Sequence, residues 1–192
     1  MGSGSRRTVV VYALDVQALF SVSTARFAVR PATIDDATEI ARVQTKSWQS
    51  SYRGILPDSI LDTMDPARRI NQRREILADH GALNLVAYDT THGDIVGFAN
   101  AGPSRRQGQL VGELYEIYIL DRAKRYGLGR ELFEVVTDWC RARHMATMII
   151  WVLENNAHAR RFYEAMGGQV SGRTNSTVRG FGVVEVCYQY RL

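Results

Sequence analysis

The run Lys124-Arg125-Tyr126-Gly127-Leu128-Gly129 lies between an alternating apolar stretch, residues 114–120, and an amphipathic segment that begins at Leu128. A strand, a glycine-bearing turn and a helix start, in that order, make a place to hold an anion. Glycine reaches backbone conformations closed to other residues and lets main-chain N–H groups approach a phosphate. The helix start adds unpaired N–H groups and the positive end of its dipole. Spacing excludes two other anion-binding turns. A dinucleotide-binding turn follows the first strand of its fold and carries a third glycine, whereas position 132 here is Leu132. A triphosphate loop needs Gly-Lys-Ser/Thr, which is absent. On the strand leading into the turn stand two titratable groups, Glu113 and Glu116, and strict alternation predicts that they point to opposite faces, Glu113 with Tyr115, Ile117 and Ile119.

The elements that must position these residues follow from periodicity. Residues 27–30 read as a short strand, and Thr33 with Asp35 and Asp36 supplies an N-cap and an acidic first turn. Ala37, Ile40, Ala41, Gln44 and Trp48 then fall at helical spacing, in a helix that ends before Gly54 and gives way to a loop over 51–57. A second helix is predicted over about 66–78, opened by Pro66 and bearing a basic stripe of Arg68, Arg69, Arg73 and Arg74 expected to face solvent. Strands at 83–88 and 95–101, separated by a turn at 91–94, join the strand before the glycine turn in a three-strand meander. Leu128, Leu132, Val135, Val136 and Trp139 mark the next helix. The continuous apolar run 148–153 then predicts a buried strand parallel to the one before the turn. A helix over 156–166, closed by Gly167-Gly168, and two strands at about 169–175 and 183–191 complete the pattern.

Composition bounds the rest. With 192 residues, 45% hydrophobic and 23% charged, the chain has the makeup of one globular domain. The expected domain spans 26–192, preceded by an extension, 1–25, that is poorly ordered or loosely packed. The expected fold class is α/β (α+β), a mixed sheet of about seven strands flanked by helices. Twenty-four Lys+Arg against 20 Asp+Glu, spread along the chain, argue against a nucleic-acid face and suit a small anionic ligand. Cys140 and Cys187 show no metal or redox spacing and are expected as reduced core residues, and the four scattered histidines make no zinc pattern. Arg6-Arg7 followed by an apolar stretch faintly resembles a secretory signal, but Asp15 and Gln17 interrupt it. A cytoplasmic protein without a membrane span is the expectation.

A second segment, Asn155-Asn156-Ala157-His158-Ala159-Arg160-Arg161-Phe162-Tyr163-Glu164-Ala165-Met166-Gly167, stands one helix and one strand beyond the turn. Together the two segments resemble the GNAT superfamily of acyl-CoA-dependent N-acetyltransferases. Its phosphate loop reads Gln/Arg-x-x-Gly-x-Gly/Ala, and its later helix carries Asn-x-x-Ala-x-x-Phe-Tyr-x-x-x-Gly. Here the first is Lys124-x-x-Gly127-x-Gly129 and the second runs from Asn156 through Ala159, Phe162 and Tyr163 to Gly167. The order of elements extends the resemblance over nearly all of the chain beyond its first 26 residues or so. Two positions depart from the pattern: Lys124 stands where Gln or Arg is usual, and Gly168 where an aromatic often follows.

The resemblance implies a single GNAT-like domain, splayed at a cofactor cleft, that moves an acetyl group from acetyl-CoA to a primary amine by direct transfer in a ternary complex. The backbone of Ile117, Tyr118 and Ile119 would lie along the pantetheine arm. Lys124, Arg125, Tyr126, Gly127, Leu128, Gly129 and Arg130 would hold the pyrophosphate, and Asn156 and Ala159 would form the opposite wall. Tyr163 is placed like the family's proton donor to the departing thiolate. Glu113 aligns with the catalytic glutamate of histone-modifying members, with Glu116 or ordered water as the other candidates for the base. Trp48, Tyr52 and Arg53 would border the acceptor channel, and Arg105, Arg106, Arg173 and Arg179 are candidates to attract an acidic acceptor. The implied partner is a small-molecule or peptide amine, with a homodimer as the expected assembly. A non-catalytic acyl-CoA-binding regulatory module is the alternative, against which Tyr163 and Glu113 argue.

Overall fold

Apolar alternation at Val29, Leu85, Ala87, Ala99 and Ala101 gives strands whose one face is buried, and the glycine-bearing turns return the chain between them. The computed structural model describes residues 26–192; the expected N-terminal extension lies outside the described residues. The strands are β1 (Phe27–Pro31), β2 (Leu83–Asp89), β3 (Ile95–Ser104), β4 (Gly108–Ile119), β5 (Thr147–Leu153), β6 (Gln169–Val178) and β7 (Phe181–Arg191). The helices are α1 (Ala37–Ser51), α2 (Asp58–Asp62), α3 (Pro66–Leu77), α4 (Leu128–Ala142) and α5 (Ala157–Ala165). All seven strands form one sheet in the order β1-β2-β3-β4-β5-β7-β6. Neighbours are antiparallel except β4 and β5, which the crossover helix α4 makes parallel.

Local chemistry starts the helices where the sequence places them. Asp36 accepts from the Thr33 backbone N–H at 2.8 Å and is gripped by both terminal nitrogens of Arg30, at 2.7 and 2.8 Å, ahead of α1. Asp65 accepts from the N–H groups of Ala67 and Arg68 and, with Pro66, opens α3. Gly127, at φ +84°, precedes α4. Asn156 caps α5 by accepting from the Ala159 N–H at 3.1 Å.

One face of the sheet packs on α4 through Leu114, Leu128, Leu132, Val136 and Met148, joined by Tyr163 from α5. The other face packs on α1 through Ile40, Val43, Val86 and Phe98. Cys140 and Cys187 are buried free thiols, as expected of core residues. Burial pushes the Cys140 thiol up to about 11, so it stays protonated.

Three features differ from the periodicity reading. The strand expected over 95–101 runs on to Ser104, leaving only a turn of Arg105–Gln107 before β4. The last two strands lengthen into a tight hairpin turned by Arg179 and Gly180, both at positive φ. The basic stripe of α3 is not all solvated: Arg68 and Arg74 are exposed, but Arg69 and Arg73 keep only 9% and 4% of their surface. Arg69, Arg73, Ile76 and Leu77 recur at i, i+4, i+7 and i+8, so the face that docks on α1 carries two guanidinium groups inward with its apolar residues.

Candidate active site

Pairing between β4 and β5 is short. It covers only Val111↔Thr147, Gly112↔Met148 and Glu113↔Ile149. Beyond it β4 continues to Ile119 and β5 to Leu153, where β5 is paired on its other side with β7. The two strands therefore splay, and the β5-facing edge of β4 over 114–119 is left with main-chain groups free to meet a ligand. Ile117 and Ile119 send their side chains to the α4 core and Tyr118 to the α1 side, so the backbone is what these residues offer the gap.

The glycine turn stands at the open end of that gap. Gly127 is left-handed, and a Cβ placed on it would meet nothing within 4 Å, which describes a backbone with open space before it at the head of α4. Arg125, at φ +67°, is also left-handed, and it and Arg130 are exposed beside the turn. Gly129 is small for another reason: its Cβ would sit 3.3 Å from the Phe162 ring and 3.5 Å from Ile119 Cδ1, where α4 presses against α5. Leu128 belongs to the core, so only its N–H faces the turn. Lys124 is held at 2.6 Å by Asp121, and Tyr126 leans edge-on against Phe27 with Arg26 over its ring. Ala159 packs against the core one turn into α5.

The two carboxylates do not divide between faces as strict alternation predicts. Across β3 and β4 the register runs Asn100↔Glu116 and then Ala101↔Leu114, so Tyr115 is an extra residue, a β-bulge. Leu114 on one side of it and Ile117 and Ile119 on the other all reach the α4 core. Glu113 and Glu116 therefore share the opposite face. Glu113 is buried, and a single oxygen, Oε2, accepts from Ser104 Oγ and the Arg105 N–H, both at 3.0 Å. Its Oε1 has no hydrogen-bond partner among the described residues. Glu116 has both oxygens engaged, one by Gln44 Nε2 at 3.2 Å and the other by the Arg73 guanidinium.

Beside these carboxylates lies a group of tyrosines. Tyr52 and Tyr118 hydroxyls are 3.1 Å apart, and the Asn156 amide also engages Tyr52. Tyr163 is buried, its ring 5.3 Å from Phe162 and its carbonyl accepting from Tyr190 Oη at 3.0 Å. Burial pushes the Tyr163 phenol well above its ordinary value, with Tyr52 and Tyr190 adding to the shift, so it carries its proton at any physiological pH. Burial raises Tyr118 and Tyr52 too. The Tyr190 hydroxyl explains Gly168: a Cβ there would lie 2.6 Å from it, so no side chain fits after the helix-closing glycine.

Trp48 and Tyr52 pack edge to face at 5.2 Å beside Leu56, Leu61 and Leu153. Arg53, by contrast, is exposed and held by Asp58 at 2.7 Å and Asp62 at 2.9 Å, so its charge is matched. Arg106 pairs with Glu185 and Arg173 with Glu154. Arg105 covers the Tyr115 ring at 3.8 Å. The residues that sequence reasoning missed are Arg69 and Arg73, together with Gln44. Their signal was present in the helical spacing that places both arginines among the apolar positions of α3.

These features define an acetyltransferase fold with an open donor cleft, and the chain belongs to the acetyltransferase (GNAT) family, whose model matches residues 44–168. It is 30% identical over 159 residues to the uncharacterized N-acetyltransferase YuaI of Bacillus subtilis, a match that covers 82% of this chain and 89% of that one. The fold is similar to that of PaiA N-acetyltransferase from Thermoplasma acidophilum in complex with coenzyme A, with a TM-score of 0.68 at 16% identity over 88% of this chain and all of that one. It is also similar to YncA from Salmonella typhimurium with its cofactor acetyl-CoA, with a TM-score of 0.62 at 19% identity, covering 87% and 94% of the two chains.

Proposed function

We propose that the protein transfers an acetyl group from acetyl-CoA to a primary amine directly, within a ternary complex. The observation that carries this reading is the splay of β4 from β5 immediately after Glu113↔Ile149, with the Gly127 turn at its open end. The thioester supplies an activated acyl carbon, and the residues of the chain do the rest. Free N–H groups along 114–119 bind the pantetheine arm and polarise the thioester carbonyl. The Gly127 turn and the first N–H groups of α4 hold the pyrophosphate, with Arg125 and Arg130 adding positive charge. Asn156 and Ala159 line the far wall.

Glu113 is the base. Its Oε1 is unbonded, whereas both oxygens of Glu116 are committed, one to the Gln44 amide and the other to the Arg73 guanidinium. The amine nitrogen attacks the acyl carbon, its proton passes to Glu113, the carbon–sulfur bond breaks, and the Tyr163 hydroxyl protonates the departing sulfur. Trp48 and Tyr52 border the acceptor. Incubating the full chain with isotopically labelled acetyl-CoA and an extract of metabolites and peptides tests the reading by mass spectrometry. Acceptor-dependent thiol release with labelled N-acetyl products is the expected result. Tight acetyl-CoA binding with no acceptor-dependent release would make the protein a binding module instead.

A further inference from the structure

Arg69 is a buried cation without a matching anion. It keeps 9% of its surface, no carboxylate among the described residues pairs with it, and its Nε–H is sealed from solvent with no acceptor. Its guanidinium lies 5.1 Å over the Trp48 ring, whose indole N–H is likewise buried without an acceptor. Ser47 Oγ, on the next residue, is the third such orphan. Gln44, Ser47 and Trp48 stand at i, i+3 and i+4 on the face of α1 turned toward α3 and β4, so the unmatched donors are neighbours. Buried donors are ordinarily satisfied, and three together are the unfilled side of a polar contact.

Charge points the same way. The charged groups that face Arg69 are the guanidinium groups of Arg179 and Arg73 and the Glu116 carboxylate. Glu116 is already engaged by Arg73, while Arg179 turns to the Ile60 and Thr63 carbonyls and the Thr63 hydroxyl. Three cations thus share one carboxylate. Burial first, then Arg179 and Arg73, push the Arg69 pKa down, the sign of a cation missing its counter-ion. Glu116 and the Tyr118 phenol bring this cluster against the proposed acceptor side of β4.

We infer that Arg69, with the Trp48 indole N–H beside it, seats a carboxylate carried by the acceptor, so that the substrate is an amine that also bears a carboxylate, of amino-acid or peptide type. A planar two-oxygen anion matches the edge of one guanidinium, and the neutral indole N–H beside it offers a further donor to the same carboxylate. The inference rests on the acetyltransferase reading for the fate of that amine, but the carboxylate site itself does not depend on turnover.

The test has two arms. In the first, the full chain carrying 15N-labelled arginine is titrated separately with N-acetyl-L-alanine, N-acetyl-L-alaninamide and inorganic phosphate, following the Arg69 Nε–H resonance assigned by its loss in Arg69→Lys. The expected result is a saturable shift with the acid at least about tenfold tighter than with the amide. No saturable shift, or one with phosphate alone, overturns the carboxylate site. In the second arm the labelled products of the extract are identified. Products bearing a free carboxylate, with the preference for the acid over its amide falling about 10–100-fold in Arg69→Met and partly kept in Arg69→Lys, support the inference. Products without a carboxylate, or an unchanged preference in Arg69→Met, overturn it. If the extract yields no product at all, the acetyltransferase reading fails, and the first arm still decides the site.

Discussion

Glu113 and Glu116, three residues apart on β4, face the same side of the sheet because Tyr115 is bulged between them. The bulge sits where β4 leaves β5, so it sets two carboxylates side by side at the mouth of the gap with different partners. Glu113 rests on a hydroxyl and an N–H, and Glu116 on an amide and a guanidinium. In the proposed mechanism that difference separates a base from a structural anion.

Glu113→Gln is expected to lower kcat/KM on the order of 100-fold, the typical contribution of a general base. The loss should be greatest at low pH and shrink as pH rises, because an amine that is already neutral needs less help. Steady-state rates across the pH range check this, and an unchanged profile would remove Glu113 from the mechanism.

Glu116→Gln is expected to act mainly on stability. It strips the anion from Arg73, whose side chain is 5% exposed, while Glu116 itself is partly open to solvent at 24%. Losing a partner in a fully buried pair costs about 3–5 kcal/mol, and the exposure of Glu116 brings the expected loss to about 1–3 kcal/mol. Denaturant midpoints of Glu113→Gln and Glu116→Gln, compared side by side, read the difference.

Tyr163→Phe removes the proposed acid while preserving the ring contacts with Phe162 and Tyr188. A fall in kcat of about 10–1,000-fold is expected, with the KM for acetyl-CoA little changed. Unaltered kcat across the pH range would show that the thiolate leaves without Tyr163.

Alkaline pH should destabilise the fold steeply. Burial is the leading cause that raises the phenols of Tyr52, Tyr118, Tyr163 and Tyr190 above their ordinary value. The unfolded chain therefore releases these protons first, near pH 10, and the folded chain later. Their contribution is whole below about pH 10 and is lost as pH rises toward the folded values, at up to about 1.4 kcal/mol per pH unit for each group. Urea midpoints at pH 8 to 11 give the slope, which should become shallower in Tyr52→Phe.

Arg69→Met should raise stability. Replacing an unmatched buried cation by an apolar side chain of similar length is expected to add about 1 kcal/mol or more, a rise in Tm of about 2–4 °C. A fall in Tm would mean that the guanidinium is a structural part of the α1–α3 contact.

Much of the fold was legible before any coordinates. Apolar patterning marked the strands, helix-closing Gly167-Gly168 ended α5, and the Gly127 turn announced α4, because each depends on residues a few positions apart. The same locality misled at two places. Alternation assumes an unbroken pleat, and the bulge at Tyr115 is a property of β4 against β3, so the shared face of Glu113 and Glu116 appears only with pairing. Four arginines on a helix read as solvated, yet whether Arg69 and Arg73 meet water depends on what packs over α3.

By itself, then, the sequence determined the order of the strands and of the helices other than α2, the anion-holding turn and the motif that pairs with it, since these rest on backbone conformation and spacing along one stretch of chain. Tertiary structure decided which carboxylate keeps a free oxygen, how far β4 and β5 part, and which cation is left without a partner. Those are contacts between residues far apart along the chain, 72 positions in the case of Gln44 and Glu116, and only folding makes them neighbours.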